Sequence, residues 1–348
     1  MKRQIAAAAA LLLLITGCSP ERSSLEPLRF DTTFLGALDT VVRLVAYCPD
    51  SAAFDRACER VRAGLERADR LFNLYRGDSA LARLNAAAGE GPVPVDAELA
   101  ARIEECRALQ KETAGVNIAL GAPLKLWHTA RETGEPPSDD ALAQAMTHVS
   151  MNDVRVEGDE ERGYTAEITD PDLSLDMGAA AKGFAADDIA DDLREAGFDC
   201  FLLDCGASTI VCEGRPPGRE GWTVALRNPD ASVNRSGVSD PAETLGERIL
   251  SGQSLGTSGD YQKYFEKNGI FYSHILDPDS GRPADFVRAV TVIAPRAGLA
   301  DFYSTALYAL PYDRARALAE RTPNVEALWV LEDGSVQATD GFALRDSA

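Results

Sequence analysis

The chain has 348 residues, 45% of them hydrophobic, and carries a formal net charge of −20. A chain of this length can bury a core large enough for one large domain or two closely packed ones. Nucleic-acid binding requires a basic surface, so the strong negative charge excludes a nucleic-acid partner from the expected functions. The same charge disfavours adsorption to anionic lipid, and any membrane association therefore needs a separate anchor.

The first residues in chain order carry a signal for export. Two basic residues precede an apolar run that is too short to span a bilayer, and small residues follow before Cys18. This pattern predicts a lipoprotein signal peptide over residues 1–17, with Cys18 lipidated and residues 18–29 forming a polar tether. An ordinary secretory signal with a chance cysteine is the alternative. We expect a lipid-anchored protein on the extracytoplasmic face of the bacterial cell envelope.

Six cysteines follow Cys18, and none of them forms a CxxC pair. Because the chain has only three histidines as well, a zinc site is not expected. An extracytoplasmic location permits disulfides, but the spacing does not give their connectivity. Cys200, Cys205 and Cys212 lie in or beside apolar strands, and we expect them to be buried thiols or one local disulfide rather than nucleophiles.

Hydrophobic periodicity predicts groups of helices and strands along the rest of the chain. The clearest helices are predicted over residues 52–71, 96–113, 179–196 and 301–310. Strands are predicted within 30–47 and over 200–204, 222–226 and 325–331. Asp78 is a candidate N-cap of a short helix, and the polar stretch 228–247 is predicted to be a loop. Because strict βαβ alternation is absent, we predict an α+β fold with mixed or antiparallel sheets.

Two segments near the C-terminus carry the strongest chemical signal. In residues 272–278, His274 stands three residues before Asp277 in a turn that proline and glycine favour. Further on, Asp301 and Thr305 are four residues apart, so a helix would place both side-chain oxygens on one face. Two hard oxygen ligands suit Mg²⁺, which takes few protein ligands together with substrate phosphates. The two segments predict an enzyme that handles phosphate.

A third segment joins a strand to a helix through small residues, from Asp176 to Lys182 and Gly183. Backbone N–H groups at such a helix start can hold an anion. Lys182 could reach a phosphate and Asp176 a ribose or a ring nitrogen; a plain helix start with a solvated lysine is the alternative. Residues 256–261 form a similar hydroxyl-rich turn that includes Ser258, for which a plain hairpin turn is the alternative.

Several other residues have a structural interpretation when each is taken alone. Taken alone, residues 115–121 are typical of packing at the start of a helix. His128 and His148 have no ligand partners nearby in the sequence, and Trp127 is typical of a core residue.

Taken together and in order, these segments resemble the FAD:protein FMN transferases, the family of ApbE-like flavin transferases. The resemblance extends from about residue 30 to residue 310. The motifs that carry it are Asp39-Thr40, Tyr75 with Asp78-Ser79 and Leu84-Asn85, residues 115–127, Asp176-Met177-Gly178 with Lys182-Gly183, residues 257–261, residues 273–278, and Asp301 with Thr305. The resemblance implies a single large ApbE-like domain over residues 30–348.

The resemblance also implies a reaction. Such enzymes bind FAD with Mg²⁺, transfer its FMN part to a Ser or Thr hydroxyl of a target protein through a phosphoester, and release AMP. The implied partners are FAD and an acceptor protein with a short Ser/Thr motif, expected to be an envelope-facing electron-transfer subunit. The lipoprotein signal agrees with this, since many members are envelope lipoproteins.

The residues of the site follow from the same resemblance. The implied metal ligands are Asp301, Thr305 and a backbone carbonyl near Ala179. The implied catalytic residues are Asp301 and His274, the candidate base, which Asp277 could orient. The implied FAD contacts are Leu38, Tyr75, Gly115, Val116, Asn117, Asp176, Lys182, Ser258 and Ile275.

Three positions depart from the family pattern. Leu38-Asp39 stands where Met-Gly is common, and Asn117 stands where an aspartate is common. The turn at 206–208 reads Gly-Ala-Ser in place of Gly-Gly-Asp.

Two other functions would use the same residues. A Mg²⁺-dependent FAD pyrophosphatase would use water in place of the protein hydroxyl and give FMN and AMP, and a non-catalytic FAD-binding lipoprotein would leave FAD intact. The joint presence of Asp301, Thr305, Lys182 and His274 favours catalysis, because binding alone does not need a metal clamp.

Overall fold

The computed structural model describes residues 26–37, 40–206, 208–233 and 242–345, without the side chains of residues 36 and 37. Apolar residues at helical spacing produce eight α-helices in this part of the chain. They are α1 (Ser51–Phe72), α2 (Ala80–Ala86), α3 (Ala97–Thr113), α4 (Gly121–Thr133), α5 (Asp139–Ala145), α6 (Ala181–Glu195), α7 (Ala297–Tyr308) and α8 (Tyr312–Arg321). Among the described residues, no helix combines the length and apolarity needed to cross a bilayer.

Fifteen strands lie between and around these helices in the described ranges. They are β1 (Leu28–Ala37), β2 (Thr40–Cys48), β3 (Val93–Val95), β4 (Val154–Asp159), β5 (Gly163–Ile168), β6 (Phe201–Cys205), β7 (Thr209–Glu213), β8 (Trp222–Arg227), β9 (Thr244–Leu250), β10 (Gln253–Gly259), β11 (Tyr264–Lys267), β12 (Ile270–Ser273), β13 (Ala289–Ala294), β14 (Glu326–Val330) and β15 (Val336–Ala338).

Eight of the strands form one sheet in the order β1-β2-β6-β7-β10-β13-β14-β15. Three smaller sheets have the orders β3-β5-β4, β8-β9 and β11-β12. Every pairing between these strands is antiparallel. The predicted α+β fold, with mixed or antiparallel sheets flanked by helices, is confirmed, and the strand pairings found are antiparallel.

Each face of the large sheet is covered by a different layer. Neighbouring residues of a strand point to opposite faces, so Leu44 and Val45 of β2 enter different cores. Leu44 packs with Leu65 of α1 and Ile189 of α6. Val45 packs with Trp222 of the β8–β9 hairpin. Burial on both faces fixes the register of the central strands.

Helix α7 lies unusually close to its neighbours, because three glycines face it. A Cβ at Gly115 would lie 2.2 Å from the Ala306 carbonyl oxygen, and a Cβ at Gly183 would lie 2.4 Å from the Ala297 carbonyl oxygen. A Cβ at Gly256 of β10 would lie 2.4 Å from the α7 backbone. The three glycines therefore set the position of the helix that carries the predicted metal ligands.

Gly256→Ala is expected to destabilise the protein by about 1–3 kcal/mol, since overpacking forces backbone shifts of this cost. The added methyl group would meet backbone atoms of α7 that cannot rotate away. Gly77→Ala is a suitable control, because a Cβ at Gly77 has no heavy atom within 4 Å. Urea unfolding midpoints test this: equal midpoints for Gly256→Ala and the wild type would show that α7 is not held by this contact.

Three predictions about the elements need correction. The N-cap of α2 is Ser79, whose side chain accepts from the Ala82 N–H, while Asp78 pairs with Arg76. Strand β9 begins at Thr244, inside the stretch predicted to be a loop, because it pairs with β8. Helix α7 begins at Ala297, four residues earlier than predicted. Partners in other segments decided where β9 and α7 begin, whereas the cap of α2 was decided by local bonds of Ser79 and Asp78.

Candidate active site

Helix α7 places Asp301 and Thr305 on one face, as their spacing predicts. The Thr305 hydroxyl donates to the Asp301 backbone carbonyl at 3.3 Å. Ser258, at the end of β10, lies with its Oγ 3.2 Å from the Thr305 Oγ1 and 2.9 Å from the Ser304 Oγ. The predicted FAD-binding residue Ser258 and the predicted metal ligand Thr305 are therefore in direct contact.

The Asp301 carboxylate is almost completely buried, with 4% of the residue exposed. Its Oδ2 accepts from the Gly183 backbone N–H at 3.0 Å, and its Oδ1 accepts from the Thr209 hydroxyl at 3.1 Å. Burial raises the pKa of Asp301, and the positive charge of Lys182 opposes that rise. A buried carboxylate whose pKa is shifted by burial and by one nearby cation marks a candidate functional site.

Helices α6 and α7 cap each other through two aspartates. Ala180, the N-cap residue of α6, makes no side-chain capping bond, and Asp301 of α7 takes this role at Gly183. In return, Asp187 of α6 accepts from the backbone N–H groups of Ala297 and Gly298 at 2.8 and 2.9 Å. The start of α6, which carries the positive end of its dipole, is thereby fixed beside Asp301 and Lys182.

Asp176 lies in the extended segment that leads to α6. Its Oδ1 accepts from the Gly178 N–H at 2.7 Å, and its own N–H donates to the Ile118 carbonyl at 2.7 Å. Burial raises the pKa of Asp176, while the Gly178 N–H and the charge of Lys263 lower it. The short bond to Gly178 shapes the small-residue turn that contains Ala179.

His274 is held as a neutral imidazole. Burial lowers its pKa to about 3, and the positive charges of Lys182, Lys263 and Arg131 add to this effect. The buried Nδ1 makes no hydrogen bond within the described structure. A neutral ring with a free nitrogen can accept a proton, and a bound anion would offset the three cations and raise this low pKa toward the range that a general base needs.

The predicted role of Asp277 in orienting His274 is wrong. The Asp277 Oδ1 accepts from the Asp279 N–H at 3.0 Å, and its Oδ2 accepts from the Ser280 hydroxyl at 2.7 Å. The carboxylate closes its own turn, in which the Gly281 N–H also donates to the Asp277 carbonyl at 2.8 Å. Local bonds of this kind are favoured for an aspartate that precedes a proline and a turn.

Lys263 and Arg131 were not singled out from the sequence. Lys263 immediately precedes β11, and because Tyr264 pairs with Ser273, it lies opposite His274. Arg131 is on α4, whose Trp127 ring is 5.5 Å from the ring of Tyr272 on β12. Packing of α4 on the β11–β12 hairpin thus brings a third cation to the site. No local sequence pattern predicts this arrangement.

The remaining predicted FAD contacts are placed in different ways. Gly115 touches α7 and Val116 is in the core beneath it. Both polar atoms of the Asn117 side chain bond to backbone, with the Nδ2 donating to the Val149 carbonyl at 2.8 Å and the Oδ1 accepting from the Ala119 N–H at 2.9 Å. Ile275 is buried beside His274.

Tyr75 is an exposed aromatic residue, with 77% of its surface accessible. Its ring centroid is 5.5 Å from that of His128 on α4, the same helix that carries Arg131. His128 therefore has a ring partner that the sequence did not reveal. The predicted contact Leu38 and the predicted lipidation site Cys18 lie outside the described residues.

His148 also belongs to a cluster that was not predicted. Its Nδ1 is 2.8 Å from the Asp170 Oδ2, and its Nε2 is 3.8 Å from the Asp172 Oδ2. Among the described residues, this is the group of three whose ligand atoms lie within 4.8 Å of one another. None of the three is a predicted metal ligand, and the ion pairs within the cluster account for its geometry.

The six described cysteines are all free thiols, five of them buried. Burial raises the pKa of Cys205 to about 12. The nearby negative charge of Asp301 also raises it, and the positive charge of Lys182 lowers it. A thiol that stays protonated is a poor nucleophile. The expectation of buried thiols is confirmed for Cys205 and Cys212, while Cys200 is a half-buried free thiol. Covalent catalysis through cysteine is not supported.

Comparisons with known proteins identify the family of this chain. The model of the ApbE family matches residues 38–329. A FAD:protein FMN transferase of Treponema pallidum is 34% identical over 321 residues, which cover 88% of this chain and 86% of the relative. Another from Klebsiella pneumoniae is 28% identical over 335 residues, covering 94% of this chain and 92% of the relative. The chain belongs to the ApbE family.

Solved structures give the same result for the fold. The apo form of the Pseudomonas stutzeri flavinyl transferase ApbE has a TM-score of 0.77 at 27% identity, covering 92% of this chain and 97% of that one. The ApbE protein of Thermotoga maritima has a TM-score of 0.77 at 24% identity, covering 90% of this chain and 98% of that one. At the lower identity the likeness supports the fold alone.

Proposed function

We propose that this protein transfers FMN from FAD to a Ser or Thr hydroxyl of a target protein and releases AMP. The observation that carries the proposal is the meeting of three features at one place: the buried Asp301 carboxylate, the start of α6 with Lys182, and the neutral ring of His274. Membership of a family whose curated relatives are FAD:protein FMN transferases supports the same reaction.

The chain's own residues can accept the proton that this transfer releases and can stabilise the negative charge of the pyrophosphate. The acceptor hydroxyl gives its proton to the free nitrogen of His274 while its oxygen attacks the phosphorus of the FMN part. The bond from that phosphorus to the bridging oxygen breaks, and the electron pair leaves on AMP. The positive charges of Lys182, Lys263 and Arg131 act at His274, and there they would stabilise the negative charge of the pyrophosphate. Catalysis here rests on positioning and electrostatics.

The donor set around Asp301 fits Mg²⁺. Asp301, Thr305 and a backbone carbonyl near Ala179 are the residues that would hold the ion. All three donors are hard oxygens, and a single carboxylate is typical where substrate phosphates complete the shell. When bound, Mg²⁺ neutralises charge on the pyrophosphate. A divalent cation would compensate the negative charge of the Asp301 carboxylate, whose pKa is raised by burial.

Mg²⁺ binding is expected to weaken as the pH falls. The weakening should begin at a pH above the ordinary range of carboxylate pKa values. The raised pKa of Asp301 means that protons compete with the metal at a higher pH than they would at an exposed aspartate. Below that pKa, affinity should fall about tenfold for each pH unit. Calorimetric titration with Mg²⁺ over a falling pH series, for the wild type and Asp301→Asn, measures this. A wild-type affinity with the same pH dependence as that of Asp301→Asn would remove Asp301 from the metal site.

Intact-mass spectrometry tests the proposed transfer. The protein without residues 1–18 is incubated with FAD, Mg²⁺ and an envelope-facing domain of an electron-transfer subunit that carries a Ser/Thr motif. A gain in acceptor mass of one FMN moiety, absent with EDTA, supports the transfer and its metal dependence. FAD split to FMN and AMP with no acceptor gain supports the pyrophosphatase. Intact FAD with every member of an acceptor panel supports a binding protein.

We further propose that Cys18 carries a lipid and holds the domain at the extracytoplasmic face of the envelope. The support is the sequence of residues 1–18 alone. In that arrangement residues 18–29 tether the domain, which begins at about residue 30. Metabolic labelling with a radioactive fatty acid should mark the wild type, and should not mark Cys18→Ser.

A further inference from the structure

Tyr75 presents an aromatic ring to solvent from a turn that is fixed by hydrogen bonds. Its N–H donates to the Asn73 Oδ1 at 2.9 Å, and the Asn73 Nδ2 donates to the Asp69 Oδ1 at 2.6 Å. Arg76 forms ion pairs with Asp69 and with Asp78, each at 2.9 Å. An exposed ring on a backbone that is already ordered loses little further freedom when a ligand binds, which favours a ligand-binding role.

His128 of α4 contacts this ring from one side. The two ring centroids are 5.5 Å apart and the ring planes are inclined by 42°. The imidazole is itself oriented by Glu132, whose Oε1 lies 3.6 Å from the His128 Nδ1. Because Tyr75 is 77% exposed even with this contact, most of its ring remains accessible to a ligand. We refer to Tyr75 and His128 as the ring pair.

The segment that contains Asp176 anchors both elements that carry the ring pair. Asn85 of α2 donates to the Leu175 carbonyl at 2.9 Å and accepts from the Leu175 N–H at 2.8 Å. The N–H of Gly121, which begins α4, donates to the Ser174 carbonyl at 2.9 Å. Helices α2 and α4 are therefore fixed to neighbouring residues of the segment that leads to the start of α6. The ring pair is thereby attached to the same segment as the candidate active site.

Helix α4 also connects the ring pair to the surroundings of His274. Trp127, the residue before His128, has its ring 5.5 Å from the ring of Tyr272, two residues before His274. Arg131 is three residues after His128, so these two side chains share one face of α4, roughly 5 Å apart along the helix axis. The positive charge of Arg131 acts at His274, where the pyrophosphate is proposed to bind. The ring pair is thus about one helical turn from a cation of that site.

We propose that His128 is a positioning residue for FAD, which holds the Tyr75 ring in the orientation that stacks on one of the flat ring systems of FAD. This inference rests on the proposed function, in which FAD is the substrate. FAD carries adenine on one side of its pyrophosphate and isoalloxazine on the other, so a pyrophosphate bound near Arg131 brings one of them to the ring pair. Stacking of this kind holds the substrate equally before and during the reaction, and it therefore sets KM rather than kcat.

A double-mutant cycle on the ring pair tests this role. Tyr75→Ala should weaken FAD binding about tenfold or more, the usual loss of one aromatic stack. His128→Ala should weaken it about threefold to tenfold, and should have no further effect once Tyr75 is alanine, because His128 acts through that ring. His128→Phe keeps a ring at this position and should restore most of the affinity. Thr129→Ala, which changes an exposed neighbour on α4, is the matched control and should bind FAD as the wild type does.

Three ligands identify which ring system the ring pair takes. Dissociation constants are measured for FAD and FMN by flavin fluorescence and for AMP by calorimetry. Weaker binding of FAD and FMN by His128→Ala, with AMP unaffected, supports the inference and assigns the isoalloxazine ring. Weaker binding of FAD and AMP, with FMN unaffected, supports it and assigns adenine. In transfer assays, His128→Ala should raise KM for FAD by the factor seen in binding and leave kcat within about twofold.

Three results would overturn the inference. One is an FAD affinity of His128→Ala equal to that of the wild type. Another is a pair of losses that simply add in the double variant, which would mean that His128 does not act through Tyr75. The third is an equal loss for all three ligands together with a lower thermal midpoint, which would make His128 a structural residue of α4. A wild type that binds no FAD would overturn the proposed function as well, whereas these three results leave that function standing.

Discussion

Asp301→Asn is expected to reduce FMN transfer by about 10³-fold or more, the loss that follows removal of a preorganised electrostatic group. Asparagine is nearly isosteric and keeps an oxygen that can accept from the Gly183 N–H, so the capping of α6 is largely retained. The negative charge, however, is lost. We therefore expect Mg²⁺ binding and transfer to be lost together while the fold persists.

Asp187→Asn is the matched control for this variant. Asp187 is a buried carboxylate that caps α7 in the same way that Asp301 caps α6. It also pairs with Arg296 at 3.4 Å, and it is not one of the proposed metal ligands. Its replacement should lower the thermal midpoint and leave transfer by the folded fraction intact. Calorimetric Mg²⁺ titration with transfer assays on both variants separates the roles. Full transfer by Asp301→Asn would remove the proposed metal site.

His274→Ala is expected to slow transfer by about 10²- to 10⁴-fold, the usual contribution of a positioned general base. Binding of FAD should change little, since the neutral ring contributes no charge to the pyrophosphate. Added imidazole should restore part of the rate, because a small base can occupy the space of the missing ring. Loss of FAD binding without rescue would make His274 a ligand-binding residue.

The pH dependence provides a second readout for His274. Since burial and three cations lower its pKa to about 3, the ring of the free enzyme is neutral throughout the range from pH 5 to pH 8. The wild type should therefore show no loss of kcat/KM for FAD centred near pH 6.5, where an ordinary histidine titrates. Stopped assays at saturating Mg²⁺ check this, and a loss centred there would contradict the account.

The parts of the site that follow from local spacing could be predicted from the sequence. Helical spacing placed Asp301 and Thr305 on one face, and small residues before Lys182 marked the start of α6. The α+β class also followed, because apolar periodicity is a local property that burial reinforces, while the choice between mixed and antiparallel sheets was left open. These predictions needed only the geometry of single elements.

The parts that depend on packing between distant segments could not be predicted. The capping of α6 by Asp301 joins residues 118 positions apart, and Lys263 and Arg131 meet at His274 only through a hairpin and its contact with α4. Asp277 is the opposite case. Its carboxylate was expected to face the histidine, but it accepts hydrogen bonds within its own turn. There, local bonds within the turn prevailed over the expected contact with the histidine.

The most direct test of the central claim is the amount of AMP released for each FMN bound to the acceptor. Wild-type protein, FAD, Mg²⁺ and acceptor are incubated, and AMP, free FMN and acceptor-bound FMN are quantified together. We predict equal amounts of AMP and acceptor-bound FMN, with no free FMN above the level seen without enzyme. AMP matched by free FMN would contradict the transfer and identify a pyrophosphatase.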